Sequence, residues 1–112
     1  RLITGGGIPK NNSGYFMEPT LLTNLSHKHR IMNEETFGPV VAIQKVKTED
    51  EAVKLANDSP FGLGATVWTK NKKKGLAMAR KIESGMIGVN QGIGSIDGIR
   101  QFTVPRKISY KK

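Results

Sequence analysis

The side chains of this sequence that could do chemistry are mainly carboxylates. Glu34 and Glu35 are followed by Thr-Phe-Gly-Pro, which ends at Pro39 and breaks regular structure because proline restricts its own φ and the residue before it. Adjacent carboxylates point in different directions, so an acid/base dyad is not expected. Ligand-binding residues often lie on such loops. The Glu35 carboxylate could accept hydrogen bonds from both hydroxyls of a ribose, and the Phe37 ring could lie against a flat nicotinamide. The spacing alone favours an ordinary loop over such a site.

Several kinds of site are not expected in these residues. The 112 residues contain no cysteine, so they supply no disulfide, zinc–thiolate site or thiol nucleophile. His27 and His29 are two positions apart and would not share a helix face, so we expect no metal site. The glycine clusters at 5–7 and 92–98 lack the spacing and the following helix of a dinucleotide-binding fingerprint. The chain is therefore not expected to form its own nucleotide-binding fold.

The composition indicates a small, basic globular domain or a piece of a larger one. Eighteen Lys and Arg residues against nine Asp and Glu give a formal charge of +9 and a pI near 10.1. The densest basic run, Lys70–Lys74, lies where a turn should lead into a helix, and few aromatic residues lie near it to stack on bases. The sequence therefore does not favour nucleic acid as a partner. No apolar run has the length of a membrane span, and we expect a soluble, cytoplasmic protein without a membrane partner.

The order of predicted elements indicates an α/β fold. Val40–Val46 is β-branched and strand-like, Thr48 and Glu51 form a capping box, and further strands are predicted at Ala65–Trp68 and Met86–Asn90. A second helix, capped by Asn71, is predicted between these two strands. Strand, helix, strand, helix, strand implies a mainly parallel sheet covered on both faces.

The remaining segments are less regular. Gly5–Gly14 is predicted as loop, and Tyr15–Leu25 as an extended segment at a sheet edge or outside the sheet, because Pro19 cannot donate a hydrogen bond. His27–Met32 is predicted as one helical turn. Gln91–Gly98 is glycine-rich loop, and Ile99–Tyr110 is predicted as a terminal strand.

Five blocks of the sequence, in order, resemble the aldehyde dehydrogenase superfamily. They are Gly14–Leu22, Glu34–Val40, Thr48–Asn57 with Phe61–Leu63, Val67–Thr69 and Ser84–Asn90. The resemblance implies part of the doubly wound, mainly parallel sheet of the family's catalytic domain. Residues 1–98 would be the C-terminal portion of that domain, and residues 99–112 a terminal strand of the oligomerisation type. Where the family has a longer loop with a Gly-Gly-x-Lys-x-Ser-Gly pattern, Gln91–Gly98 joins the two ends directly, either through a deletion or because residues are missing from the numbering.

The resemblance also implies roles for four residues. Glu35 matches the glutamate that holds the nicotinamide ribose of NAD or NADP, and Phe37 the aromatic residue beside the nicotinamide. Leu63 and Asn90 match positions in the substrate and active-site region. The cysteine nucleophile, the base glutamate, the oxyanion-hole asparagine and the dinucleotide domain of the family all precede the matched region. The chain therefore has no expected catalytic residue, and alone it should bind NAD(P) negligibly.

Three functions follow as predictions. The first is a fragment or remnant of an NAD(P)-dependent aldehyde dehydrogenase, inactive alone and self-associating as a dimer or larger assembly through exposed sheet edges and the strand at 99–110. The second is one subunit of a split aldehyde dehydrogenase, completed by a chain that carries the upstream portion. The third is a basic interaction module that binds nucleic acid.

Overall fold

The computed structural model describes residues 1–10, 14–92 and 107–110, and within the last range only the side chain of Ile108. The described elements are β1 (Leu2–Thr4), β2 (Thr20–Leu22), α1 (Arg30–Asn33), β3 (Val40–Ala42), α2 (Glu49–Asn57), β4 (Gly64–Val67), α3 (Lys72–Lys81), β5 (Met86–Val89) and β6 (Lys107–Tyr110). The chain divides into two compact units, Arg1–Val46 and Lys47–Lys112, and each is treated by itself.

The first unit contains a three-stranded sheet in the order β1-β2-β3. β1 runs antiparallel to β2, and β2 runs parallel to β3 with Thr20 opposite Val40 and Leu22 opposite Ala42. The expectation that Tyr15–Leu25 lies at an edge or outside a sheet is therefore wrong, because β2 is the central strand. Pro19 stands one residue before β2, so the strand does not need the N–H that proline lacks.

The glycines at the start of the first unit form a turn that packs against the segment before β2. Gly5 has a φ of +73°, and a Cβ there would overlap the carbonyl oxygen of Pro19. The Gly6 amide donates a 2.8 Å hydrogen bond to Oγ1 of Thr20, and this hydroxyl donates to the Glu18 carbonyl oxygen at 2.7 Å. The turn therefore requires glycine at position 5 for both conformation and space.

The second unit contains a parallel sheet in the order β4-β5-β6. Gly64 lies opposite Met86 and Val67 opposite Val89, while Ile87 lies opposite Ile108. β4 and β5 pair in parallel and are connected through α3. This arrangement confirms the α/β class. The first strand of the predicted alternation does not belong to this sheet: β3 pairs with β2 in the first unit, and it ends at Ala42 rather than at position 46.

Both long helices begin at the predicted caps. Thr48 accepts a hydrogen bond from the Glu51 amide at 3.1 Å, and Asn71 accepts one from the Lys74 amide at 3.1 Å, so α2 and α3 start with a satisfied donor. The two helices and the sheet of the second unit enclose a small apolar core. Its buried members are Val53, Val67, Ala79, Ile82, Ile87 and Val89.

Two shorter elements differ from their predicted bounds. The helical turn predicted at His27–Met32 is α1 at Arg30–Asn33, preceded by a turn in which the His29 amide donates to the Ser26 carbonyl at 3.1 Å. The described part of the predicted terminal strand is β6, which pairs with β5 of the same chain. Residues 93–106, with most of the predicted loop at Gln91–Gly98, lie outside the described residues. The oligomerisation role of residues 99–112 stays a prediction.

Candidate functional site

The loop that carries Glu35 and Phe37 begins at the end of α1. The Glu34 amide donates to the Arg30 carbonyl at 2.8 Å, and the Arg30 guanidinium makes two hydrogen bonds to the Glu34 carboxylate, at 2.7 and 2.8 Å. These hydrogen bonds, together with the attraction between the charges, lower the pKa of Glu34 and raise the pKa of Arg30. Because the Glu34 carboxylate is paired with Arg30, Glu35 is the carboxylate of the two that is available to a ligand.

The other end of this loop is attached to the first sheet. The Pro39 carbonyl accepts a 2.8 Å hydrogen bond from the Thr20 amide, and the Val40 amide donates to the Gly38 carbonyl at 2.8 Å. Between these attachments Glu35 is exposed, and Phe37 is 95% exposed. Among the described residues, none donates a hydrogen bond to the Glu35 carboxylate. The loop thus presents a carboxylate and an aromatic ring two residues apart, both open to a ligand.

Leu63 lies immediately before β4, at the amino end of the parallel sheet. Its carbonyl accepts from the Met86 amide at 3.1 Å, so the backbone is fixed while the side chain is 76% exposed. The side chain lines a cleft of about 340 Å³ together with Phe61, Ile82 and Ser84. This cleft is mostly apolar and suits an apolar group better than a charged one.

Asn90 lies immediately after β5, at the carboxyl end of the same sheet. Its amide donates to the Val67 carbonyl at 2.9 Å. Its carboxamide Oδ1 accepts from the Thr69 amide at 2.8 Å, and its Nδ2 donates to the Thr69 carbonyl at 2.8 Å. Both polar atoms of the side chain are therefore engaged by backbone.

The structure brings some of the predicted site residues together and separates others. Glu35 and Phe37 share one loop of the first unit. Leu63 and Asn90 belong to the second unit, at opposite ends of its strands. From the register they are about 16 Å apart along the strand direction, so they do not contact the same small group. The assignment of these four residues to cofactor and substrate stays a prediction.

Some features of these regions were missed by the sequence reasoning. The Arg30–Glu34 pair has the four-residue spacing of helical ion pairs, which the sequence could have shown. Two other features have no local sequence pattern, because they arise from contacts between distant parts of the chain. They are the pairing of Asn90 with Thr69, and the position of Ile82 and Ser84 in the lining of the cleft.

The basic run and the histidines have other surroundings in the structure. Lys74 binds Glu49 of α2 at 2.8 Å, and this contact raises the pKa of Lys74. His29 Nδ1 lies 3.0 Å from the Ser26 amide, in a turn. Residues 1–10, 14–92 and 107–110 contain no group of three or more His, Cys, Asp or Glu side chains able to hold a metal ion. Within the same residues, no helix has the length and apolar character needed to cross a membrane.

The sequence profile of the aldehyde dehydrogenase family matches residues 1–103. This chain belongs to the aldehyde dehydrogenase family. Geranial dehydrogenase of Castellaniella defragrans is 43% identical over 90 residues, which are 80% of this chain and 19% of that protein. Aldehyde dehydrogenase 1A1 of Gallus gallus is 46% identical over 85 residues, 76% of this chain and 17% of that protein. The family resemblance drawn from the five sequence blocks is thereby confirmed.

Solved structures agree with the sequence relatives. Mycobacterium tuberculosis aldehyde dehydrogenase complexed with NAD+ superposes with a TM-score of 0.79 at 40% identity, covering 87% of this chain and 20% of that one. An indole-3-acetaldehyde dehydrogenase, also complexed with NAD+, gives 0.78 at 41% identity over 85% of this chain. The chain thus has the α/β fold of a region of aldehyde dehydrogenases and spans about a fifth of the length of the relatives it matches.

Proposed function

We propose that this chain is a portion of an NAD(P)-dependent aldehyde dehydrogenase, that it contributes cofactor-contacting groups to the oxidation of aldehydes to carboxylates, and that it does not catalyse this oxidation alone. The observation that carries the proposal is the loop of Glu35 and Phe37, attached at both ends with its carboxylate and ring exposed. We assign Glu35 to the hydroxyls of the nicotinamide ribose and Phe37 to the nicotinamide ring.

The residues of the loop fit the nicotinamide half of NAD(P). The Glu35 carboxylate has acceptor capacity left over, and a ring that is 95% exposed has a face for a flat heterocycle. When bound, the cofactor accepts a hydride from the substrate. One carboxylate and one ring do not bind a dinucleotide tightly, because every tenfold in affinity requires about 1.4 kcal/mol and no residue here is assigned to pyrophosphate or adenine. We therefore propose negligible binding of NAD(P) by the chain alone.

The nucleophile has to come from outside these 112 residues. In the family chemistry that the sequence resembles, a cysteine thiolate attacks the aldehyde to form a thiohemiacetal, and the chain contains no cysteine. Without a thiolate this covalent route has no nucleophile. We therefore propose that the sequence is a fragment or remnant of the enzyme, inactive alone.

A second candidate is a subunit of a split aldehyde dehydrogenase that a partner chain completes, and the surface of the second unit favours it. Among the described strands β4 lies at an edge of its sheet, and edge strands pair readily with other strands. Beside it lies the apolar cleft with the exposed side chains of Phe61 and Leu63. Self-association through the same edge, and through residues 99–110 that the sequence predicts as a strand, is the corresponding proposal when no partner is present.

Finer features of the function belong to the same proposal. Relatives of similar identity are a geranial dehydrogenase and a succinate semialdehyde dehydrogenase, so similarity in this region does not select an aldehyde, and either NAD or NADP fits the proposed contacts. We place Leu63 and Asn90 in the active-site region of the complete enzyme. We further propose that the parallel sheet is part of a doubly wound sheet in the complete catalytic domain, and that the protein is cytoplasmic.

A graft into a relative tests the proposed contacts. The matched segment of the geranial dehydrogenase from Castellaniella defragrans would be replaced by this chain's segment, and NADH formation followed by absorbance. Glu35→Gln should raise the KM for NAD+ about tenfold, equivalent to about 1.4 kcal/mol, because the ribose loses a charged acceptor. Glu34→Gln is the matched control and should change this KM little, since Glu34 faces Arg30. An unchanged KM in Glu35→Gln would contradict the assignment.

The purified 112-residue chain provides the second arm of the test. It should form no NADH from aldehyde and NAD+, and millimolar NAD+ should leave its melting temperature unchanged, because a ligand that binds the folded state raises that temperature. Aldehyde-dependent NADH production by the chain alone would refute the proposal.

A further inference from the structure

Two loops leave the carboxyl edge of the parallel sheet, and one side chain joins them. Asn90, directly after β5, pairs both polar atoms of its carboxamide with the backbone of Thr69, two residues after β4 ends at Val67, at 2.8 Å in each case. The Asn90 amide also donates to the Val67 carbonyl at 2.9 Å. The side chain thus continues the hydrogen bonding of the two strands past their last regular residues.

The backbone of Asn90 is in the left-handed region, with a φ of +55°. Asparagine tolerates this region better than most residues. The turn it makes sends Gln91 and Gly92 back over β5, where a Cβ at Gly88 would overlap their carbonyl oxygens. The direction in which the chain leaves the sheet therefore depends on the conformation of Asn90.

The partner of Asn90 is itself connected to the next helix. Thr69 Oγ1 accepts from the Asn71 amide at 3.2 Å, and Asn71 caps α3. The Thr69 methyl would lie 2.9 Å from a Cβ at Gly75, so Thr69 packs directly on α3. A change at Asn90 therefore reaches the start of α3 as well as the segment after β5.

We infer that Asn90 is a positioning residue, which fixes the two loops at this edge against each other, and that it does not contact substrate or cofactor itself. In α/β sheets of this kind, ligands bind beyond the carboxyl ends of the strands, so the geometry of this edge matters for a site. The inference rests on the proposed function only for the identity of the ligand. The pairing with Thr69 stands in the 112-residue chain without cofactor or aldehyde.

Asn24 provides a matched control, because it too has a left-handed backbone, with a φ of +54°. In the described residues its side chain makes no hydrogen bond. Hydrogen exchange of the Thr69 amide would be measured in the 112-residue chain and in the variants Asn90→Gly and Asn24→Gly. Glycine keeps the backbone conformation in both. Asn90→Gly should speed Thr69 exchange about tenfold or more, and Asn24→Gly should not; equal effects of the two variants would overturn the inference.

Asn90→Asp is the second variant, and its pH dependence separates the side-chain pairing from a general loss of stability. A carboxylate keeps the acceptor for the Thr69 amide but opposes the Thr69 carbonyl oxygen, whereas a protonated carboxyl group supplies both donor and acceptor. The pairing is therefore present below the ordinary aspartate pKa of about 3.9 and is lost as the pH rises through the higher value expected in the folded state. The neighbouring charged residue, Lys70, is exposed.

The quantity to compare is the Thr69 exchange rate in Asn90→Asp divided by that in the unsubstituted chain at the same pH. The ratio should exceed one at pH 7, because repulsion between the carboxylate and the Thr69 carbonyl oxygen drives the two groups apart, and it should fall toward one near pH 4. A ratio that is the same at both pH values would refute the pairing as the source of the effect. Neither result depends on NAD(P) binding or on activity. The role of Asn90 could therefore be refuted while the proposed function holds, and the proposed function could be refuted while the role of Asn90 holds.

Discussion

Replacing Gly75 by alanine sets two opposing effects against each other inside α3. Alanine favours helix over glycine by about 1 kcal/mol at an exposed position. Gly75 is buried, and a Cβ there would lie 2.7 Å from Cγ1 of Val89 and 2.9 Å from Cγ2 of Thr69. Both distances are well short of the roughly 3.5–4.0 Å at which carbon atoms attract each other.

Whether Gly75→Ala stabilises or destabilises the chain depends on whether the Val89 side chain can move away from the new methyl group. Val89 is 1% exposed and β-branched, so its χ1 has little freedom, and it sits on β5 in the middle strand of its sheet. Overpacking of this kind costs about 1–3 kcal/mol, which exceeds or equals the helix gain. We expect Gly75→Ala to destabilise the second unit by about 1 kcal/mol, which lowers the melting temperature by about 4–8 °C in a domain of this size.

Thermal unfolding followed by circular dichroism would measure the effect, with Ala77→Gly in the same helix as the reference for helix propensity alone. Val89→Ala removes the closer of the two contacts and leaves the one with Thr69, so in that background Gly75→Ala should destabilise less than it does alone. If Gly75→Ala alone raises the melting temperature by what helix propensity predicts, the close packing of α3 on β5 is refuted.

Three further substitutions have defined outcomes. Gly5→Ala should destabilise the first unit by about 1 kcal/mol or more, because the new Cβ overlaps the Pro19 carbonyl at a φ that alanine disfavours; urea unfolding would measure it. Thr48→Ala removes the cap of α2 and should cost about 1 kcal/mol, whereas Thr48→Ser should cost much less in the same assay. Arg30→Ala should raise the pKa of Glu34 toward its ordinary value in an NMR titration. Since that pKa is lowered in the folded chain, the stabilising contribution of the pair is present above the ordinary carboxyl pKa and is lost as the pH falls through the lowered value.

The parts of the fold that were predictable depend on local patterns. Thr48 and Asn71 cap their helices as their sequence contexts indicated, because an N-cap needs only residues within one turn. The pairing of strands cannot be predicted in the same way as a helix cap, because packing between distant segments decides which strands lie side by side. Pro19 suggested an edge strand, yet β2 is central. The strand predicted at Val40–Val46 ends at Ala42, and beyond it the Ile43 amide still donates to the Leu22 carbonyl at 2.9 Å.

The same distinction applies to the candidate site. Glu35 and Phe37 could be singled out because two residues in one loop, before a Gly-Pro break, form a recognisable local pattern. The hydrogen bonds of Asn90 join residues 21 positions apart, and no spacing in the sequence announces them. The family resemblance indicated Asn90 as a position of interest, and only the structure shows that both polar atoms of its carboxamide bind the Thr69 backbone.

The distribution of buried residues limits what the loop of Glu35 and Phe37 can do unaided. Among the described residues of the first unit, only Thr20 is buried, whereas the apolar core belongs to the second unit. Exposed large apolar side chains, Tyr15 and Phe16 among them, are frequent on the first unit. A unit that buries so little apolar surface gains little hydrophobic stabilisation against the entropy of ordering its chain. The loop of Glu35 and Phe37 belongs to this unit, so its fixed geometry, and with it the proposed contact to the nicotinamide ribose, requires a covering surface that the remainder of an aldehyde dehydrogenase would supply.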